Sequence, residues 1–175
     1  MAIGFIGHIK AFITEPGKAF EREQKTPVSE ALIYGLKGFL ILAIMLSITS
    51  IFNPIGALGW TIPFILILIF VGGFVGILVN ALWYHLWAYV FGARQGYKET
   101  IKILFFAETP VYILGWIPFV NIIAGIWSLV LVGIGLKKLQ KLSTGRAVAA
   151  IAIAVLIPLT IAILLIGWAI ATFGQ

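Results

Sequence analysis

The sequence contains no cysteine, no aspartate and only two histidines, His8 and His85. The first absence excludes disulfides, thiolate metal sites and a cysteine nucleophile. The second excludes the aspartates of an aspartyl intramembrane protease. Charge is scarce too. Only 10% of the 175 residues are Asp, Glu, Lys or Arg, whereas a soluble domain carries about 25%. With 62% hydrophobic residues, the chain lacks the polar surface to face water all round. Its main solvent is lipid.

Long uncharged runs are what the sequence has in excess. "YILGWIPFVNIIAGIWSLVLVGIG" and "VAAIAIAVLIPLTIAILLIGWAIATFGQ" carry no charge at all. A helix needs about 20 such residues to cross roughly 30 Å of hydrocarbon. The alternation of a membrane β-barrel is absent. The expected fold is an all-α polytopic membrane bundle. Residues 29–175 form a domain of five transmembrane helices, and residues 1–28 precede it as a cytoplasmic amphipathic leader.

In the leader, Phe5, Ile9, Phe12 and Ile13 share a face at helical spacing. "TEPG" interrupts them; Thr14 is expected to cap a second short helix, with Pro16 early in it and Phe20 as its apolar contact. Such a helix pair lies on a membrane surface. Lys10 and His8 break the apolar stretch and no small-residue cleavage pattern follows, so it does not read as a secretory signal.

The spans are expected at about 30–52, 61–91, 100–116, 118–136 and 146–172. Pro27 marks the start of the first, and Lys37 near its inner end can snorkel. The second run is longer than the hydrocarbon by about 15 Å. Its aromatic end, "NALWYHLWAYVF", belongs in the headgroup layer, with Trp83 and Trp87 as anchors. Gly72 and Gly76 are spaced for close helix contact, and Ser143 or Thr144 can cap the last helix. Pro63, Pro110 and Pro158 remove backbone bonds within spans and are the expected kinks. No internal repeat accompanies them, so the kinks serve packing rather than a transporter's broken helices. The short third segment, with "AETP", either crosses with the fourth or dips in and returns with it as a hairpin.

Sidedness follows from the twelve basic residues, because Lys and Arg stay cytoplasmic. Lys10, Lys18, Arg22, Lys25 and Lys37 lie at the N-terminal end. Arg94, Lys98 and Lys102 lie between the second and third spans. Lys137, Lys138, Lys141 and Arg146 lie between the fourth and fifth. The other connections have none. Five crossings then put the N-terminus inside and the C-terminus outside, with Trp60, Trp116 and Trp168 near the outer face. The basic face, Arg94, Lys98, Lys137, Lys138, Lys141 and Arg146, suits anionic lipid at about 1 kcal/mol per residue. No recognition module for nucleic acid accompanies it.

Glu108 is the acid inside an apolar span, and such a residue is a functional candidate by default. Counting residues from the inner ends puts His85 at similar depth, so contact between the two is expected, directly or through water. Asn80, Tyr112 and Asn121, with Tyr84, are the other polar members of this cluster. It reads either as a proton or cation site or as hydrogen bonding that fixes helix packing. No metal site or cofactor is expected, because a zinc-protease helix needs two histidines near a glutamate. No catalytic residue is expected either: Ser128 lacks the glycine-flanked setting of a serine nucleophile.

"FITEPGKAFE", "PVSEALIYGL" and the stretch from "LWYHLWAYVFGARQGYKET" through "FFAETPVYILGWIPFVN" to "GLKKLQKLSTGRA" resemble the Yip-domain family of Ypt/Rab-interacting membrane proteins. The order of signals carries the resemblance: a His, a Gly-containing loop, a Pro in a short span, then Pro, Gly, Trp, a basic loop and a final span. The resemblance implies a five-helix membrane domain with a cytoplasmic N-terminus. Eukaryotic relatives act in early secretory traffic, associate with Rab-type GTPases and with one another, and are linked to membrane shaping. This chain lacks their acidic-Gly-Pro element and is similar to the compact prokaryotic branch, which implies a prokaryotic plasma membrane. GTPase binding is not carried over, although another cytoplasmic protein partner is compatible with the resemblance. The expected function is a non-enzymatic, self-associating membrane scaffold, a homo-oligomer on anionic lipid. The alternative is a small transporter or channel using Glu108 and His85.

Overall fold

The computed structural model describes residues 4–50, 64 and 66–173. All the regular elements among them are helical. The leader forms α1 (Phe5–Thr14) and α2 (Pro16–Glu23). Then come α3 (Val28–Ser50), a π-turn (Leu68–Gly72) that leads into α4 (Gly73–Val90), α5 (Tyr97–Ala107), α6 (Thr109–Leu114), α7 (Val120–Lys138) and α8 (Thr144–Phe173). Among the described residues, four helical stretches are long and apolar enough to cross a membrane: Val28–Thr49, Leu68–Val90, Val120–Lys138 and Thr144–Phe173. The segment expected at 100–116 is instead a helix of 11 residues followed by one of 6. The start of the second expected span and Pro63 lie outside the described residues, as does Trp60.

α5 occupies the centre and touches α3, α4 and α7. From Lys102 to Ala107 every residue of it is buried. α8 packs on α4 and α7, and α2 packs on α7. The leader is docked rather than loose: Phe12 and Phe20 have no exposed surface. Their rings meet edge-on at 4.9 Å, and Phe12 stacks on Phe106 at 4.9 Å. Thr14 ends α1, donating its hydroxyl to Lys10 O at 2.9 Å, so it does not cap α2. Glu15 stands at that cap position.

Glycine permits close approach at α3. A β-carbon on Gly35 would collide with the Phe105 ring, and one on Gly38 with the Tyr112 ring. The pair singled out by spacing behaves differently: a β-carbon on Gly72 would meet only Leu68 at 3.9 Å and one on Gly76 nothing, while the close approach is at Gly73, where Phe39 Cε1 would lie 2.6 Å from an added β-carbon.

Two prolines inside the membrane domain are each answered by a side chain. A proline cannot donate to the carbonyl four residues before it, and in lipid that carbonyl needs another donor. Pro110 cannot donate to Phe106 O, which instead receives a backbone N–H at the cap of α5 and the Thr109 hydroxyl, Oγ1 donating at 2.5 Å. With its proton committed there, Thr109 Oγ1 accepts from Tyr34 Oη at 2.7 Å. Pro158, inside α8, leaves Ala154 O free. Trp83 Nε1 donates to that oxygen at 2.8 Å. Trp83 therefore holds α4 to α8 instead of anchoring only at the interface, and it packs edge-on against Trp87 at 5.5 Å.

Candidate functional site

Glu108 sits at the break between α5 and α6, where its backbone serves as a helix cap. Ser128 on α7 donates to Glu108 Oε1 at 3.3 Å. Tyr112, one turn further on, is buried and within electrostatic reach of Glu108. Its hydroxyl has no hydrogen-bond partner among the described residues. Tyr84 is also within electrostatic reach. His85 lies elsewhere, with Nδ1 2.8 Å from Thr100 Oγ1.

In place of the expected contact between Glu108 and His85, each has a separate side-chain partner. The reason is register. α5 begins at Tyr97 rather than near Thr100, so Glu108 is eleven residues past the start of its helix. His85 is five residues before the end of α4. Six residues correspond to about 9 Å of depth. Asn80 on α4 and Asn121 at the start of α7 are exposed and stand apart from the buried core. The intramembrane polar group is Glu108, Ser128 and Tyr112, with Tyr84 near it. Among the described residues, no group of three or more potential metal ligands is placed to hold an ion.

The second polar region lies at the end of the bundle where the basic segments meet. Lys102, read from the sequence as one more basic charge, is only 2% exposed. Its Nζ donates to Thr26 O at 2.9 Å and to Gln24 O at 3.3 Å. It also pairs with Glu99 at 3.0 Å. One buried ammonium thereby fastens the α2–α3 connection to α5. Gln140, 1% exposed, does the same for the two basic loops. Its Nε2 donates to Gly96 O at 2.8 Å and to Thr100 Oγ1 at 2.9 Å, and Gln95 N donates to its Oε1 at 3.2 Å. Gln24 Nε2 donates to Lys138 O, and Lys138 pairs with Glu21.

The leader and both basic loops are therefore joined at one end of the bundle. Arg94, Lys98, Lys137, Lys141 and Arg146 are exposed there, while Lys138 is half-buried against the leader. Arg94 also lies over the Tyr89 ring at 4.1 Å.

At the same end, a pocket of about 470 Å³ opens between the leader and α3. His8 and Glu23 meet in its wall, Nε2 to Oε1 at 3.3 Å. His8 stacks on Phe106 at 5.8 Å. The hydrogen bond to Glu23 raises the pKa of His8 above 6.5, against the opposing effect of burial. Burial pushes Glu23 upward, but His8 and Thr26 outweigh it and its pKa is lowered from 4.5. Both groups carry charge at mildly acid pH. Glu23 is 4% exposed, and its second oxygen, Oε2, has no hydrogen-bond partner among the described residues. Thr26 favours the charged carboxylate without a bond of regular geometry to that oxygen.

Sequence reasoning passed over His8, Glu23, Lys102 and Gln140. A signal existed for the first two. His8 falls at i+3 from Phe5 and four before Phe12, on the apolar face of α1. Glu23 falls at i+4 from Ala19 and i+3 from Phe20, on the buried face of α2. Nothing in the local pattern distinguishes Lys102 from an ordinary solvated lysine, because the groups that hold it are backbone carbonyls of residues 24 and 26.

No curated protein and no solved structure matches the chain. The family model of the Yip1 domain does, over residues 10–169. That match covers nearly the whole chain, and with four membrane-length helices in an all-helical bundle it identifies the protein as an integral, multi-pass membrane protein of the Yip1-domain family.

Proposed function

We propose that the protein is a non-enzymatic membrane scaffold that self-associates and organises the bilayer, or a cytoplasmic partner, at one built face. The observation that carries this reading is the convergence of the leader and both basic loops, fastened by buried Lys102 and Gln140. Two buried polar side chains at this end fix the geometry of a surface rather than line a passage. The exposed Lys and Arg around them suit anionic lipid.

This face is cytoplasmic by the rule that basic residues are retained inside. α5 and α6 together run 97–114, about 27 Å of helix. That is close to the hydrocarbon thickness and supports a fifth crossing, with the N-terminus inside and the C-terminus outside. A prokaryotic plasma membrane is the setting the family branch suggests.

Self-association is tested by expressing two differently tagged copies and purifying one tag from solubilised membranes. Recovery of the second tag, with a single defined number of bleaching steps in nanodiscs, supports the scaffold. Strictly monomeric particles at membrane density sink it.

A second reading, a proton or ion pathway, is favoured by one observation: a carboxyl at a helix break, one turn from a tyrosine hydroxyl that has no hydrogen-bond partner among the described residues. Liposomes loaded with pH- and ion-sensitive dyes test it. Flux that vanishes in Glu108→Gln while the protein stays folded favours transport. Equal, background-level flux in both proteins leaves Glu108 as interhelical packing.

A further inference from the structure

The pocket between the leader and α3 is a built site in which the Glu23 carboxylate, paired with His8 through Oε1, has one further oxygen to satisfy. Glu23 lines the pocket, is almost fully buried, and has no hydrogen-bond partner for Oε2 among the described residues. A buried carboxylate oxygen in that state needs a donor. Basic groups, Arg22 and Lys37, line the same pocket. Both signs of charge therefore face one space of about 470 Å³.

We propose that this pocket binds the head group of an ammonium-bearing phospholipid, with the ammonium on Glu23 and Glu30 and the phosphate on Arg22 and Lys37. The order of groups along α3 supports the assignment. Glu30, Ile33, Tyr34 and Lys37 recur at helical spacing and all line the pocket. Glu30 is in the first turn of α3, and Lys37 lies about 10 Å deeper into the membrane. A phospholipid presents its groups in the same order, ammonium outermost, phosphate beneath, acyl chains below. The apolar continuation is present as well. Leu40, Ile44 and Ile48 follow the Lys37 face down α3 and are 49%, 42% and 46% exposed.

Other ligand chemistries fit less well. A simple anion meets the buried carboxylate of Glu23. A simple cation meets Arg22 and Lys37. A quaternary ammonium brings charge but no N–H for Oε2. A primary ammonium linked to a phosphate satisfies both sides. The proposal rests on α3 crossing the bilayer and does not depend on the scaffold reading.

The test is calorimetric titration of the purified full-length protein with soluble short-chain phospholipids bearing ethanolamine, choline or glycerol head groups. The ethanolamine lipid is expected to bind about tenfold tighter than the glycerol lipid, and inorganic phosphate is expected not to compete. Lys37→Gln weakens all three lipids alike. Glu23→Gln and Glu30→Gln each remove the preference for ethanolamine. Glu30 is exposed, so its variant reads the site even where Glu23→Gln loosens the leader. Equal affinity for glycerol and ethanolamine lipids, full competition by inorganic phosphate, or an unchanged preference in Glu30→Gln would each overturn the proposal.

Discussion

Trp83 donates its indole N–H to the carbonyl oxygen of Ala154 at 2.8 Å, the oxygen in α8 that Pro158 leaves without its helical donor. The tryptophan thus serves two ends. It ties α4 to α8, and it removes the cost of an unpaired carbonyl in an apolar setting. Trp83→Phe keeps most of the ring and loses the donor, and is expected to destabilise the fold by about 1–3 kcal/mol. In a Pro158→Ala background the helix supplies its own N–H, so the same substitution costs less. A double-mutant cycle on thermal unfolding in detergent measures the difference. Additive effects would contradict the assignment.

Thr109 performs the equivalent task at Pro110, and it also accepts from Tyr34. Thr109→Val preserves shape, leaves the Tyr34 hydroxyl unpaired and takes one of two donors from Phe106 O. A loss of about 1–3 kcal/mol is expected, with Thr109→Ser retaining most of the stability. Equal unfolding midpoints for Val and Ser would show that the hydroxyl is idle.

Lys102 fastens the α2–α3 connection to α5 at the end of the bundle where the basic segments meet. Lys102→Met removes the ammonium and strands Glu99 and two carbonyl oxygens. Breaking a buried pair in this way costs about 3–5 kcal/mol. The expected readout is a large fall in unfolding midpoint together with protease sensitivity in the α2–α3 connection. A midpoint matching that of an exposed control, Lys98→Met, would refute the clamp.

Docking of the leader is expected to depend on pH in a bounded way. His8 has a raised pKa in the fold, so its contribution is complete below about 6.5 and is lost as pH rises through the raised value. Glu23 has a lowered pKa, so its contribution is present above its ordinary value of 4.5 and is lost as pH falls through the lowered one. The ion pair is therefore strongest between these limits. Spin labels on α1 and α5 report their separation. A short distance at pH 5–6.5 that broadens on the alkaline side is expected (pH range from the reference values), and His8→Gln should abolish that alkaline change. A separation independent of pH in both proteins would contradict the coupling.

Much of this architecture was legible in the sequence because lipid imposes a strong pattern. Long uncharged runs marked the four helices that, among the described residues, are long and apolar enough to cross a membrane, and the basic clusters marked the segments that meet at one end. The helix break at Glu108 was visible only as a short segment containing Pro110. What repairs it, Thr109 and Tyr34, depends on a contact across 75 residues. The pairing of Glu108 with His85 failed on a three-residue shift in the start of α5, because depth along antiparallel helices is set by where each begins. Glycine roles were misassigned for a similar reason. Spacing picked out Gly72 and Gly76, whereas close approach depends on which rings lie opposite, and the rings sit against Gly35, Gly38 and Gly73. Lys102 and Gln140 were illegible because burial of a polar side chain is decided by distant backbone partners.

The most direct test of the central claim, that one cytoplasmic face gathers the leader and both basic loops, uses the absence of native cysteine. Single cysteines replace Lys18, Lys98, Lys141 and Thr172, each in an otherwise unchanged chain. A membrane-impermeant maleimide is then applied to intact cells and to inverted vesicles. The account predicts that positions 18, 98 and 141 react only in inverted vesicles and that position 172 reacts only in intact cells. Labelling of 98 and 141 from opposite sides, or of 172 from the same side as 18, would contradict it.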